Sequence, residues 1–150
     1  MVEVDPTVAR SIAHYSHVDQ RDRFDEPLIE HVERVAAGVP PDARSVAFLH
    51  DVLEHSGTGI DELRVNGLTP QEHAALELLT RAPSESFELY TLRIAHAGGP
   101  EGDLARSVKL ADLEDRMGHA WLPLDAPPYS WAHRHIEIEQ QRRRNRSRAA

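Results

Sequence analysis

The sequence predicts an all-α protein folded as a single domain. Apolar residues recur at intervals of three and four along most of the chain, as they do on the buried face of a helix, and the alternating pattern of strands is nearly absent. The chain has 150 residues, the length of one domain, and 40% of them are hydrophobic, which is enough for a core. We therefore expect a bundle of about seven or eight helices, without an internal repeat or a domain linker.

Start and stop signals divide the first half into four helices. Asp5 and Pro6 fit the N-cap and first turn of the first helix. Gly38 and Pro40 end the second helix, and the Ser-Gly-Thr-Gly sequence at 56–59 ends the third. The predicted helices cover approximately 5–17, 27–37, 41–55 and 60–65.

Similar signals predict four helices in the second half. Thr69 precedes Pro70 and lies three residues before Glu72, the pattern of a capping box. Ser84 is expected to begin the next helix, and the Gly-Gly-Pro sequence at 98–100 is expected to form a turn. Residues 123–128 are expected to form a loop. The predicted helices cover approximately 70–81, 84–97, 102–118 and 130 onward into the C-terminal arginines.

Composition excludes several classes of function. The chain has no cysteine, which excludes disulfides, cysteine zinc sites and thiol nucleophiles. It has no apolar run near the ~18 residues that a membrane span requires. The first ten residues lack the basic and apolar regions of a signal peptide. We therefore expect a cytoplasmic protein without a membrane partner.

The net charge of −8 is unevenly distributed. Five of the 17 basic residues lie in 142–150, which contains no acid, so the rest of the chain has 12 basic against 25 acidic residues. An acidic body repels nucleic acid, and no aromatic residue interleaves with the C-terminal arginines. We expect a domain over 1–141 that includes the final helix, a frayed basic tail over 142–150, and no nucleic-acid partner.

Four polar residues lie on or beside faces that are otherwise apolar. His31 follows Leu28 by three residues, and His50 and Asp112 hold equivalent positions on their own helices, while Asp51 lies at the edge of the same face as His50. A core histidine is usually satisfied by a backbone carbonyl, but a buried carboxylate needs a cation or several donors. One divalent cation bound by these four residues would satisfy them all, and their nitrogen and oxygen atoms suit Mn²⁺, Fe²⁺, Zn²⁺ or Mg²⁺.

The order His31, then His50-Asp51, then Asp112 resembles the signature of HD-domain phosphohydrolases. The segments AFLHDVLEHS and VKLADLEDRM resemble the two ligand segments of the ppGpp-hydrolase type found in RelA/SpoT homologues, and His17, Gln20, Pro27 and His31 match the segment that precedes them. The resemblance covers about residues 14–117. It implies an all-α HD domain with one divalent metal ion, Mn²⁺ in hydrolases of this type.

The resemblance is incomplete outside the ligands. The Glu-Asp pair that positions the attacking water in the family is Glu54-His55 here, and the Arg-Lys pair that faces the guanine nucleotide falls at Asp22-Arg23. The asparagine four residues after the last ligand is Arg116. These differences leave the metal cage complete and change the residues around the substrate.

These patterns predict a metal-dependent phosphohydrolase that cleaves a phosphoester or pyrophosphate in a small, nucleotide-like substrate related to (p)ppGpp. Glu54 is expected to handle the water proton, with His55 as a second proton carrier. Arg23, Lys109 and Arg116 are expected to bind phosphate oxygens, with Arg81 as a further candidate. A metal-retaining nucleotide-binding module with little hydrolysis is the alternative, and a purely structural helical protein is the third.

Overall fold

A computed structural model describes residues 5–118 and 128–150 of the chain. Apart from an isolated bridge between Arg21 and Pro27, the regular structure in these ranges is helical, which confirms the all-α prediction. A short 3₁₀ turn covers Pro41–Ala43. The α-helices are α1 (Pro6–Ser16), α2 (Leu28–Ala37), α3 (Arg44–Leu49), α4 (Val52–His55), α5 (Ile60–Val65), α6 (Pro70–Leu79), α7 (Phe87–His96), α8 (Gly99–Met117) and α9 (Tyr129–Ala149).

Side-chain caps fix where several of these helices begin. The Asp5 carboxylate accepts a hydrogen bond from the Thr7 amide at 2.7 Å, as the sequence predicts. Thr69 and Glu72 form the expected capping box at the start of α6. Helix α7 begins later than expected, because Ser86 rather than Ser84 caps it by accepting a hydrogen bond from the Leu89 amide.

The helix predicted over 41–55 is interrupted at His50 and Asp51. The His50 amide bonds to the carbonyl three residues back, on Ala47, which ends α3, and the His55 amide then bonds to the carbonyl of Asp51 within α4. If α3 and α4 are counted as one interrupted helix, the described residues contain eight helices, which agrees with the prediction of seven or eight. The break places the His-Asp pair between two short helices instead of inside one.

Helix α8 begins at Gly99, three residues before the predicted start, so the expected turn at 98–100 is wrong. Pro100 occupies the first turn of the helix, where a missing amide hydrogen costs nothing. Gly102 lies so close to the end of α7 that a Cβ atom there would clash with the Ala97 carbonyl oxygen. The absence of a side chain at Gly102 therefore allows α7 and α8 to approach closely.

Helix α8 is the centre of the bundle. It lies against α2, α3, α6, α7 and α9, and its inward face is buried. The apolar part of that face includes Leu104, Ala105, Val108 and Leu113, and the same face carries Asp112. Asp112 is therefore surrounded by helices from both halves of the chain.

The last helix continues into the C-terminal arginines, as the sequence predicts. Helix α9 continues to Ala149, and its ion pair between Arg142 and Glu139 spans 2.7 Å across one turn. Arg143 donates to the His96 carbonyl at 2.8 Å, so the start of the arginine-rich segment is attached to the body. The division into a 1–141 domain and a tail stays a prediction, and residues 123–127 of the expected loop lie outside the described residues. No helix in the described ranges has the length and apolar character needed to cross a membrane.

Candidate metal centre

The structure brings together His31 from α2, His50 and Asp51 from the break between α3 and α4, and Asp112 from α8. All four are buried, with between 1% and 6% of each residue exposed. The Nε2 atom of His31 lies 2.9 Å from Oδ1 of Asp112, and Nε2 of His50 lies 3.7 Å from the same oxygen. Nε2 of His50 also lies 3.2 Å from Oδ2 of Asp51. Side chains far apart in sequence thus converge on one small volume.

Both histidine rings are held from the opposite side. Nδ1 of His31 lies 2.6 Å from Oδ2 of Asp115, and Nδ1 of His50 lies 2.6 Å from the Ala47 carbonyl oxygen. These acceptors favour a proton on each Nδ1 atom, which leaves a lone pair on each Nε2 atom. A carboxylate or carbonyl behind the ring is the usual support of a metal-binding histidine.

Several buried atoms in the cluster lack a hydrogen bond. Nε2 of His31, Nε2 of His50 and Oδ2 of Asp51 are close to polar neighbours, but none makes a well-directed hydrogen bond. Buried polar atoms without partners are uncommon and costly. The ligand atoms of His31, His50 and Asp112 lie within 4.8 Å of one another, so a divalent cation fits this donor set and would satisfy the unpaired atoms.

Two cations hold the Asp112 carboxylate. Nζ of Lys109 lies 2.7 Å from Oδ2, and Nε of Arg116 lies 2.9 Å from Oδ1. Burial alone would raise the pKa of Asp112, but the two cations keep it well below its usual range. Lys109 also lies 4.9 Å above the centre of the Tyr90 ring, and its pKa is raised because Asp112 outweighs the effect of burial. Both cations therefore stabilise an ionised carboxylate inside the protein.

The carboxylates also change the pKa values of the histidines. Burial lowers the pKa of His50, but the carboxylates of Asp51 and Asp112 outweigh burial and raise it to about 10. Burial likewise opposes protonation of His31, whose pKa is raised by Asp112 and Asp115. The carboxylates thus favour protonation of the two histidines when no metal cation is bound.

A pocket of about 140 Å³ opens beside the cluster. Its wall includes Glu54 and His55, both from α4, and the imidazole Nε2 of His55 lies 3.9 Å from Oε2 of Glu54 and 4.0 Å from Oδ1 of Asp51. The other lining residues are His50, Asp51, Leu79, Arg81, Phe87, Tyr90, Lys109, Asp112, Arg116 and Tyr129. Acidic, basic and aromatic groups therefore face the same small space.

The predicted cationic residues differ in where they lie. Lys109, Arg116 and Arg81 line the pocket, although the first two are already paired with Asp112. Arg23 is not part of the lining, but it donates to the Tyr129 hydroxyl at 3.3 Å and so contacts the rim. Three of these cations thus line the pocket, and Arg23 lies outside it, behind the lining residue Tyr129.

Comparison with solved structures identifies a protein with the same architecture. The chain superposes on a metazoan ortholog of SpoT, which hydrolyzes ppGpp and plays a role in starvation responses, with a TM-score of 0.68 over 93% of this chain and 87% of that one. This chain has the SpoT-type fold. The sequence identity is 18%, so the likeness establishes the fold, as the motif resemblance predicts. No protein-family model matches the sequence, and no curated protein matches it either.

Within the SpoT-type fold of this chain, sequence reasoning missed two supports of the site. Asp115 holds His31 and is itself bound by Arg34, whose Nε atom lies 2.6 Å from Oδ1 of Asp115. Gln20, which the sequence indicates only as a motif match, accepts a hydrogen bond from Nδ1 of His17 at 3.0 Å and donates to the His55 carbonyl at 2.7 Å. Asp115 follows Asp112 by three residues, and this spacing on one helix face was the available signal.

Proposed function

We propose that this chain is a metal-dependent phosphohydrolase that cleaves a phosphoester or pyrophosphate bond in a small, nucleotide-like substrate. The observation that carries the proposal is the pair of buried imidazoles whose Nδ1 atoms are held by Asp115 and Ala47, while their Nε2 atoms face Asp112 without a well-directed hydrogen bond. Three buried atoms of the cluster lack a well-directed hydrogen bond, namely Nε2 of His31, Nε2 of His50 and Oδ2 of Asp51. A cation accounts for all of them.

The proposed ligands are His31, His50, Asp51 and Asp112. A divalent cation at such a site lowers the pKa of a bound water and neutralises charge on phosphoryl oxygens. Asp115 and the Ala47 carbonyl orient the two imidazoles, and Arg34 holds Asp115 in place. The donor set is compatible with Mn²⁺, Fe²⁺, Zn²⁺ or Mg²⁺. Mn²⁺ is the preferred candidate because the ppGpp-hydrolase motifs that the sequence resembles imply it.

Glu54 is the proposed proton acceptor for the attacking water. It lies one turn after His50, lines the pocket, and is absent from the four proposed ligands. His55 is placed within 4.0 Å of both Glu54 and Asp51, where it can take up or return a proton. The two residues thus stand at the wall of the pocket rather than inside the metal cage.

The cationic wall is the proposed binding site for phosphate oxygens. Lys109 and Arg116 neutralise Asp112 and still line the pocket, so a phosphate group there would share these two cations with the carboxylate. Arg81 lies in the same wall, and Arg23 is held at the rim by Tyr129. The SpoT ortholog of the same fold hydrolyzes ppGpp, which makes (p)ppGpp and related nucleotides the first substrates to test. The cytoplasm remains the predicted location.

A nucleotide-binding module that retains the metal but hydrolyses poorly is the second candidate. The observation that favours it is His55, which stands where the resembled family has an acid and leaves Glu54 as the one carboxylate of that pair. The presence of Glu54 in the pocket wall favours the enzyme. The two candidates differ in turnover, and they share the metal site.

A hydrolysis screen with added metal tests the proposal. Purified protein is incubated with Mn²⁺ and a panel of phosphorylated nucleotides that includes ppGpp, and released phosphate or pyrophosphate is measured. Asp51→Asn serves as the blank, because it keeps the size of a proposed ligand and removes its charge. Turnover by the parent that is absent from the blank supports the enzyme. Nucleotide binding without turnover supports the second candidate, and the absence of both contradicts the proposal.

A further inference from the structure

A pair of histidines outside the pocket faces nitrogen to nitrogen. His96 is the last residue of α7, and His135 lies on α9. Their Nε2 atoms are 3.2 Å apart, and the two rings meet edge to face with centroids separated by 5.4 Å. Neither residue lines the pocket beside Asp112. The pair is therefore independent of the proposed phosphohydrolase site.

The separation of the two nitrogen atoms matches that of two ligands on one metal ion. With metal–nitrogen bonds near 2.05 Å, two imidazole nitrogens lie about 3.3 Å apart on a tetrahedral ion and about 2.9 Å apart when adjacent on a square-planar or octahedral ion. The observed 3.2 Å falls between these values. The distance between the two nitrogen atoms is thus compatible with one shared cation.

A carboxylate lies near one of the rings. Nδ1 of His96 lies 3.6 Å from Oε2 of Glu139, and the other oxygen of Glu139 accepts a hydrogen bond from Arg142 at 2.7 Å. The negative charge behind the ring favours a proton on Nδ1, so the lone pair of His96 is on the Nε2 atom that faces His135.

The histidine pair is open to solvent and lies beside the ring of Trp131. The side chain of His96 is 51% exposed, so a hydrated ion can reach it. The indole of Trp131 stacks on His135 at an angle of 25°, with centroids 5.6 Å apart. An ion bound to His135 would therefore lie close to Trp131 and change its fluorescence.

We infer that His96 and His135 form a second, surface metal site for a cation of the imidazole-binding class, namely Cu²⁺, Ni²⁺ or Zn²⁺. Water completes the coordination. The bound cation joins the C-terminal end of α7 to α9, two helices that also contact each other through Phe87 and Tyr129 at the edge of the pocket. The competing explanation is a shared proton, because one neutral ring can donate to the other at the same distance.

The test is a titration of the full chain with Cu²⁺, followed by tryptophan fluorescence in the presence of excess Mn²⁺. We expect saturable quenching that disappears in Trp131→Phe. His135→Gln and His96→Gln should each weaken the apparent affinity by more than about tenfold, since loss of a ligand costs at least as much as loss of a supporting group. His133→Gln is the matched control, because His133 lies on the same helix and pairs with Glu114 instead. It should titrate like the parent.

Two results would overturn the inference. If the parent shows no quenching, the two histidines share only a proton. If His135→Gln and His96→Gln, with circular dichroism like that of the parent, are quenched at the same Cu²⁺ concentration as the parent, the ion binds elsewhere. Binding of Cu²⁺ at the interior cluster would affect His133→Gln and His135→Gln equally, so the difference between these variants isolates the surface pair.

Discussion

The imidazole of His31 donates from Nδ1 to the carboxylate of Asp115 across 2.6 Å, and this contact joins α2 to α8. Arg34, one turn after His31 on α2, binds the same carboxylate through Nε and Nη2. Burial would raise the pKa of Asp115, but His31 and Arg34 lower it below its usual range, so the carboxylate is ionised at neutral pH. Asp115 thus sets the direction in which Nε2 of His31 points.

Asp115→Asn is expected to weaken metal binding without removing a ligand. The amide is a poorer acceptor for the imidazole, so affinity for Mn²⁺ should fall by about 10- to 100-fold, the usual effect of losing such a support. Calorimetric titration of metal-free protein measures it. Glu114→Gln is the matched control. Glu114 precedes Asp115 in the sequence, but its carboxylate is exposed and faces His133 instead of His31. If both variants bind Mn²⁺ with the affinity of the parent, Asp115 supports the fold and not the metal site.

Protein purified without chelator is expected to carry close to one divalent metal ion per chain in the interior cluster. Elemental analysis measures the metal content. Removal of the metal should lower the melting temperature, and restoring it at 100 times its dissociation constant should add ~2.7 kcal/mol to the free energy of unfolding. The measurement uses the His135→Gln variant, so that copper or nickel at the surface pair does not add to the metal count. Metal-free protein whose melting is unchanged by Mn²⁺, Fe²⁺, Zn²⁺ or Mg²⁺ would contradict the interior site.

Asp112→Ala is expected to lose both metal and stability. Lys109 is buried and pairs with Asp112, so the truncation leaves a buried ammonium without its partner, a defect of about 3–5 kcal/mol. Chemical denaturation measures the loss. The double variant Asp112→Ala with Lys109→Met removes the unpaired charge and should recover part of the stability, while metal binding stays lost. Recovery of metal binding in the double variant would exclude Asp112 as a ligand.

Helical periodicity was sufficient to predict the burial of three candidate ligands, although it did not identify Arg106, which is fully buried. His31, His50 and Asp112 each stand three or four residues from apolar neighbours, and this spacing alone indicates an inward face. It was not sufficient to predict the break at His50 and Asp51, because the apolar pattern of 41–55 continues through it. The break depends on an Ala47 carbonyl that accepts from both the amide and the ring of His50, a contact within one turn that a residue pattern does not encode.

The sequence also could not predict which groups Lys109 and Arg116 bind. Lys109 lies three residues before Asp112 and Arg116 four residues after it, and this spacing allows each side chain to face either the carboxylate or a substrate. In the structure they do both, since each binds Asp112 and lines the pocket. Which contact dominates is decided by burial, because a carboxylate that is 1% exposed requires neutralisation.

Stability at acid pH is expected to depend on the ion pair between Glu85 and Arg93. Both guanidinium nitrogens of Arg93 that face Glu85 lie 2.8 Å from its oxygens, and these hydrogen bonds lower the pKa of Glu85. The stabilisation is therefore present above the usual glutamate pKa and is lost as the pH falls through the lower value of the folded protein. Glu85→Gln should cost about 1 kcal/mol at pH 7 and little at pH 3. Melting curves at both pH values check this, and a pH-independent cost would contradict it.

Glu54→Gln is expected to separate chemistry from binding. The substitution keeps size and hydrogen bonding but removes the proton acceptor from the pocket wall, so kcat should fall by roughly 10²- to 10⁴-fold, the usual contribution of a positioned acid or base. Metal content and substrate Kd should change little, because Glu54 is not among the proposed ligands. An active parent that tolerates Glu54→Gln would show that another group takes the proton.

His55→Asp is the complementary change, since it restores the acidic pair of the ppGpp-hydrolase motif. His55 lies 4.0 Å from Asp51 and 3.9 Å from Glu54, so an aspartate there adds a negative charge beside two carboxylates. If the parent binds nucleotide without turnover, a gain of hydrolysis in His55→Asp identifies the histidine as the cause of the missing activity. If the parent is active, loss of activity in both His55→Asp and His55→Gln assigns the imidazole a role in proton transfer. Activity retained in both variants assigns proton transfer to Glu54 without help from His55.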